Sequence, residues 1–176
     1  MHLSAHYTGG FAVIHWQHIT NMKKTRINET FEVAKYLLAL DNSFFTSNKK
    51  VEIRRKETSL GRLRLNKYLH IISAVYAKQN DEPLCTNDRK WKALANGGVF
   101  VSPDKLMRFA KENKSLEDNL LEDKIKKIVF KIYHELSFYN IEQIVEISHK
   151  DENWIKAWNN SKKKNADEFS DEFSFG

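Results

Sequence analysis

The sequence predicts a mainly α fold, a compact single-domain helical bundle around a buried central helix at about 63–80. Only 6 Gly and 2 Pro occur in 176 residues, and 41% of the residues are hydrophobic, a composition typical of helix-rich globular proteins. Apolar side chains recur at helical spacing in several segments that begin with capping residues. The stretch at 84–101 lacks this spacing, and we expect a small β-ribbon there.

The segment at 63–80 is the predicted central helix. Its apolar side chains cover well over half of the helix circumference, which indicates a helix buried on several sides. Arg64, Lys67 and His70 interrupt the apolar run, so the segment cannot span a membrane. The apolar positions are Leu63, Leu65, Tyr68, Leu69, Ile71, Ile72, Val75 and Tyr76.

The two ends of the chain differ from the central part. Residues 1–22 contain no Asp, Glu, Lys or Arg and lack the basic region and cleavage site of a secretory signal. We expect them to be disordered or a non-native extension, because Met22 followed by two lysines resembles an alternative translation start. The helical domain then covers 23–160. Residues 161–176 are polar, contain Asp-Glu-Phe-Ser twice, and are predicted to be a disordered tail.

The elements before and after the central helix are predicted from periodicity and turn residues. A first helix covers about 29–41. The connector 42–58 has no helical period, and Val51–Arg54 alternates over too few residues to predict a strand. In the ribbon, 84–86 and 99–101 are the expected strands, and an Asn-Gly-Gly turn lies between them.

Capping residues predict four helices in the second half of the chain. A short helix begins after Ser102, where Pro and Asp follow the capping hydroxyl. A long helix begins at Ser115, and a third begins with the capping box that Asn140 forms with Gln143. Asp151 is expected to cap the last helix.

Positive charge is concentrated in the first third of the predicted domain. Residues 23–80 hold 13 Lys/Arg and 5 Asp/Glu, a net charge of +8, whereas residues 81–160 carry −1. Such a field steers an acidic protein or a nucleic acid toward this region, although a solvated basic face without a partner is an equal alternative. The basic cluster comprises Lys49, Lys50, Arg54, Arg55, Lys56, Arg62, Arg64 and Lys67. The candidate partner-binding residues within it are Arg54, Arg55, Arg62, Arg64 and Lys67.

The sequence contains no catalytic motif that we can identify. It has no phosphate-binding glycine loop, no G-x-S-x-G and no H-E-x-x-H. The single Cys85 can form neither an internal disulfide nor a cysteine metal cluster, which favours a reducing cytoplasm. His70 is expected to be a core residue with satisfied hydrogen bonds, and His149 is expected either to cap a helix end or to form buried hydrogen bonds. We therefore expect a binding protein without cofactor or metal, not an enzyme.

Several motifs occur in the order found in the Panacea (SocA-like) antitoxin domain family. Leu-Arg-Leu-Asn-Lys-Tyr-Leu-His at 63–70 resembles the family signature Leu-Lys-Leu-Gln-Lys-Leu-Leu-Tyr, and 33–38 resembles its opening helix. The segment 91–100 resembles its Trp…Gly-Pro-Val loop, with Val99 in place of Pro, and 148–154 resembles its Thr-His-x-x-x-x-Trp ending. The motif residues that carry the resemblance are Leu65, Lys67, Trp91, Gly97, Gly98, His149 and Trp154.

This resemblance, which runs from about Thr30 to Trp158, implies an antitoxin of a type II toxin-antitoxin system. Such a protein binds the toxin encoded by a neighbouring gene and neutralises it by direct protein–protein contact. We keep one alternative, a phage-associated nucleic-acid-binding or regulatory protein, which the basic first third would suit. The expected partner is therefore a toxin protein, with nucleic acid less favoured, no membrane and a cytoplasmic location.

Overall fold

The computed structural model describes residues 29–54, 56–84, 91–100, 108, 119–163 and 172–173, which are mainly helical with two small antiparallel sheets. The predicted mainly α class is thereby confirmed. The helices are α1 (Glu29–Leu40), α2 (Asn42–Thr46), α3 (Leu60–Asn80), α4 (Asp123–Ser137), α5 (Ile141–Ser148) and α6 (Glu152–Lys163). The strands are β1 (Lys50–Ile53), β2 (Lys56–Ser59), β3 (Trp91–Leu94), β4 (Gly97–Phe100) and β5 (Glu172–Phe173).

Helix α3 begins at Leu60, three residues before the predicted start. The early start follows from backbone hydrogen bonds, because Leu60 N donates to Lys49 O at 2.8 Å and Gly61 N donates to Ser47 O at 3.1 Å. These acceptors satisfy N–H groups of the first turn, which have no partner inside the helix. A Cβ on Gly61 would lie 2.6 Å from Ser47 N, so only glycine allows this approach.

Helix α3 contacts α1, α2, α4, α5 and β4, and most of its residues are buried. An aromatic group packs against it, in which Phe44, Phe45 and Tyr68 meet edge to face with ring centroids 5.0–5.6 Å apart. Edge-to-face contacts of this kind stabilise aromatic pairs beyond the area that they bury. The fully buried apolar side chains include Val33, Leu37, Phe45, Leu65, Tyr68, Leu69, Ile72, Trp91, Val129 and Ile144.

The connector after α2 forms a hairpin that the sequence did not predict. Strands β1 and β2 pair antiparallel, with Lys50 opposite Ser59 and Ile53 opposite Lys56. Each strand has only four residues, which is too short for periodicity to separate a strand from a loop. Arg54 in the turn takes φ of 51°, a left-handed conformation that is uncommon outside glycine.

The β-ribbon lies within the predicted stretch, but its first strand differs from the prediction. Strand β3 pairs with β4, Trp91 opposite Phe100 and Leu94 opposite Gly97. Leu84 is buried in a bend and belongs to no strand. Strand β5 pairs with the other edge of β3, which gives the order β4-β3-β5.

Helix α4 begins at Asp123, whereas the capping pattern predicted a start at Ser115. The described residues before it are not helical because they bond to α1 instead. Asn119 Nδ2 donates to Glu32 O at 2.9 Å, and Leu120 N donates to Glu32 Oε2 at 3.0 Å. The predicted capping box of α5 is confirmed, since Asn140 and Gln143 exchange side-chain to backbone bonds of 2.9 Å.

The predicted C-terminal tail overlaps elements of the structure, whereas the predicted N-terminal extension lies outside the described residues. Helix α6 continues to Lys163, so the predicted tail boundary at 161 falls within a helix, and β5 lies inside the predicted disordered tail. The N-terminal segment 1–22 lies outside the described residues, as do Arg55, Cys85 and the helix predicted after Ser102. None of the helices in the described ranges has the length and apolarity to cross a bilayer.

Candidate functional site

The β3–β4 turn, helix α3, the end of α5 and the start of α6 meet at a group of polar residues, which we call the polar cluster. Gly98 lies at its centre. Lys67 Nζ donates to Gly98 O at 3.0 Å, and Gly98 N donates to His70 Nδ1 at 3.2 Å. Two side chains on consecutive turns of α3 therefore hold both backbone polar groups of one residue. The polar cluster consists of Lys67, His70, Gly97, Gly98, Ser148, His149 and Asp151.

His70 is fully buried and uses both ring nitrogens. Because Nδ1 accepts from Gly98, the proton is on Nε2, which donates to Asp151 Oδ2 at 2.9 Å. Burial lowers the pKa of His70, and the nearby Asp151 opposes this only in part. His70 is therefore a neutral, fully bonded residue, in agreement with the buried role expected from the sequence.

Asp151 also caps the N-terminus of α6. Its carboxylate accepts from Trp154 N at 3.1 Å and from Asn153 N at 3.3 Å, the bonds of an N-cap. The cap was predicted from the sequence, but its contact with His70 was not. One carboxylate thus fixes the direction of α6 relative to α3.

Lys67 has no exposed surface. Within the described part of the chain its amine bonds to a carbonyl and forms no ion pair with a carboxylate, and burial lowers its pKa to about 7. An amine in this environment is largely neutral at mildly alkaline pH. The expectation that Lys67 binds a partner through the basic surface is therefore corrected, because its side chain points into the protein.

Gly97 allows the ribbon turn to reach the polar cluster. Its φ is +95°, and a Cβ there would lie 2.6 Å from Ser148 Oγ and 2.7 Å from Lys67 Nζ. A larger residue would be strained in its backbone and would also displace the turn. The glycine that the resemblance selected is thus required by close packing.

His149 is held between a charged and an aromatic side chain. Arg54 Nη2 lies 3.0 Å from His149 Nδ1, and the His149 ring stacks on Trp154 with centroids 4.4 Å apart. Arginine can only donate, so Nδ1 accepts and the His149 proton is on Nε2. Burial, followed by the positive charges of Arg54 and Lys67, lowers the pKa of His149 to about 4. His149 is therefore neutral at physiological pH.

Two tryptophans join the ribbon to the helices. Trp91 is buried, and its ring centroid lies 5.7 Å from that of His70. Trp154 donates from Nε1 to Leu94 O at 3.1 Å and stacks on Trp158. The ribbon is consequently fixed to α6 by a hydrogen bond and to α3 by an aromatic contact.

The predicted basic partner-binding residues do not form one exposed surface. Arg54 donates to Ala95 O at 2.8 Å and pairs with Glu146 at 3.3 Å, so its guanidinium is engaged within the fold. Arg64 lies 4.0 Å above the Phe44 ring. Arg54 and Arg62 are exposed, whereas Lys67 is buried and Arg55 lies outside the described residues.

The polar cluster is suited to holding elements together. Lys67 has no exposed surface, and a cleft of about 570 Å³ is lined by three members of the cluster, His70, Ser148 and Asp151, of which His70 and Ser148 are almost completely buried. In the ranges that the structure describes, no three His, Cys, Asp or Glu side chains are placed to hold a metal ion. The arrangement positions the ribbon turn against α3, α5 and α6.

No protein-family model, no curated protein and no solved structure matches this chain. The interpretation of function therefore depends on the chain's own residues, on their geometry and on the motifs that resemble the Panacea domain.

Proposed function

We propose that this chain is a type II antitoxin that neutralises a cognate protein toxin by direct binding, with α3 as the central helix of a single-domain bundle. One observation supports the proposal most. The motif residues that resemble the Panacea domain come from three distant parts of the sequence, yet Lys67, Gly97, Gly98 and His149 all belong to the polar cluster. Trp91 and Trp154 contact its two histidines. This convergence supports the resemblance and the proposal that follows from it.

Exposed aromatic residues also favour a protein partner. Phe138 and Tyr139 follow α4, and their exposed fractions are 76% and 45%. Both line an apolar groove of about 630 Å³ together with Ile71 and Val75 of α3. Aromatic side chains are enriched in protein–protein interfaces, where a few of them contribute most of the binding energy.

The proposal is tested by co-expression with the product of the adjacent gene. We expect that product to arrest growth alone, and growth to recover when this chain is present. The two proteins should co-elute as a complex of fixed stoichiometry in light scattering. A neighbouring product that is harmless, or that stays separate from this chain at micromolar concentration, would contradict the antitoxin function.

The alternative is a phage-associated nucleic-acid-binding or regulatory protein, which the net charge of +8 in residues 23–80 favours. Part of this charge is not displayed, because Lys67 is buried and Arg64 packs on the Phe44 ring. Fluorescence anisotropy with a random duplex at ~150 mM salt separates the two functions, since phosphate contacts give steeply salt-dependent affinity. Micromolar duplex binding that Arg62→Glu abolishes would support this alternative and contradict the antitoxin function.

A further inference from the structure

Two clefts meet at the C-terminal half of helix α3. The apolar groove of about 630 Å³ beside α4 and the cleft of about 570 Å³ beside the start of α6 share three lining residues, Ile71, Val75 and Ile147. The two clefts therefore form one continuous depression, which we call the α3 trough. It is bounded by α4 on one side and by the junction of α5 with α6 on the other.

The floor of the α3 trough has a surface against which another helix can pack. Ile71, Val75 and Gln79 are spaced four residues apart on α3, so their side chains form one row along the helix. Rows of this spacing are the ridges that fit into the grooves of a neighbouring helix. Val75 is half-buried and Gln79 is exposed, so part of this row is accessible from outside.

The two ends of the α3 trough differ in polarity. At the α4 end lie the exposed aromatic side chains of Phe138 and Tyr139. At the α6 end the lining includes four acidic and two basic side chains, a net charge of −2, although the whole chain carries +6. Complementary charge favours one partner over others, so a segment that fits both ends is apolar at one end and basic at the other. The charged residues of the α6 end are Asp81, Glu82, Asp151, Glu152, Lys78 and Lys150.

We propose, on the basis of the antitoxin function above, that the α3 trough receives an amphipathic helix of the toxin. Its apolar side chains pack on Phe138 and Tyr139, and a Lys or Arg side chain lies at the acidic end. Helices that bind in grooves use anchors spaced at i, i+3 or i+4, and i+7. A second copy of this chain suits the trough less well, because two-fold symmetry would place the acidic end against another acidic end or against the apolar end.

The test compares how the product of the adjacent gene binds to the unmodified chain and to Phe138→Ala in isothermal titration calorimetry. Phe138→Ala should weaken binding about tenfold or more, the loss typical of an aromatic interface anchor. Phe130→Ala is the matched control and should bind as the unmodified chain does. Phe130 is also an exposed phenylalanine of α4, but it does not line the trough.

The outcomes separate the binding surface from the function. Equal affinity for the unmodified chain and Phe138→Ala, or equal losses for Phe138→Ala and Phe130→Ala, would overturn the α3 trough as the binding surface and leave the antitoxin function in place. A product that the unmodified chain does not bind would contradict the antitoxin function, and this inference with it. A dimer of the unmodified chain that Phe138→Ala abolishes in light scattering would identify a second copy as the occupant and overturn the assignment to a toxin.

A charge reversal tests the orientation of the bound helix. Glu152 lines the acidic end from the first turn of α6, whereas Glu142, in the first turn of α5, does not line the trough. Glu152→Lys should slow association with the product about two- to fivefold at low salt, and less at high salt. Glu142→Lys changes the net charge by the same amount and should have a smaller effect. Equal association rates for the two variants would overturn the placement of a basic residue at the acidic end.

Discussion

Replacing Lys67 with Met should change how the stability of this protein depends on pH. The folded-state pKa of Lys67 is about 7, against 10.5 for the free side chain. Between these values the unfolded chain binds one proton more than the folded chain, so the free energy of unfolding rises with pH by about 1.4 kcal/mol per unit. Below pH 7 both states hold the proton, and this contribution to the slope disappears. Lys67→Met should remove it entirely.

The difference in unfolding free energy between Lys67→Met and the unmodified chain should change sign between pH 7 and pH 10. At pH 7 the proton equilibrium of the buried amine lowers the free energy of unfolding by roughly 4 kcal/mol relative to an amine that is neutral in both states. The Met side chain has no such penalty and loses only the bond to Gly98 O, which is worth about 1–2 kcal/mol. Lys67→Met should therefore be more stable by roughly 2–3 kcal/mol at pH 7 and slightly less stable at pH 10.

Urea denaturation followed by tryptophan fluorescence at pH 7, 8, 9 and 10 measures both differences. Lys78→Met is the matched control, because Lys78 lies on the same helix but is exposed. Its stability should follow that of the unmodified chain at every pH. A stability difference between Lys67→Met and the unmodified chain that stays constant from pH 7 to 10 would refute a buried amine with a lowered pKa.

Further substitutions test the packing around α3. Trp91→Ala should lower the free energy of unfolding by about 3–5 kcal/mol, and a variant that stays folded but loses its partner would show that Trp91 is a binding residue instead. Asp151→Ala removes both the α6 cap and the acceptor of His70, and should lower the free energy of unfolding by about 2–4 kcal/mol in urea titrations. Asp151→Asn can still cap the helix and should lose about half as much. Equal losses for the two variants would contradict the contribution of the cap. Arg64→Glu should lower the thermal midpoint by about 2–4 °C, since it removes a cation–π contact worth about 1 kcal/mol; an unchanged midpoint would show that this contact stabilises nothing.

The parts of the fold that the sequence predicted are those with local signals. The central helix was predicted from its apolar periodicity, and the α5 start was predicted because Asn140 and Gln143 are three residues apart. The start of α4 was predicted wrongly because the deciding bonds run from Asn119 and Leu120 to Glu32, far away in the sequence. No local pattern at Ser115 contains that information.

For the candidate site, the roles of individual residues were predicted from the sequence, but the contacts between them were not. His70 and Asp151 were each assigned a sound role, as a buried histidine and a helix cap, but 81 positions separate them. Nothing in a single sequence indicates that they pair. The prediction for Lys67 was wrong for a related reason, because counting charges does not distinguish an exposed side chain such as Arg62 from a buried one such as Lys67.

The long sequence separations in the polar cluster have a consequence for synthesis of the protein. The bond from Arg54 to His149 spans 95 residues, and that from His70 to Asp151 spans 81. Contacts between distant residues slow folding, because a large loop must close before they form. On the ribosome, α3 is made long before α5 and α6. His70 of α3 therefore has no access to its acceptor Asp151 until the start of α6 has been made, 81 residues later.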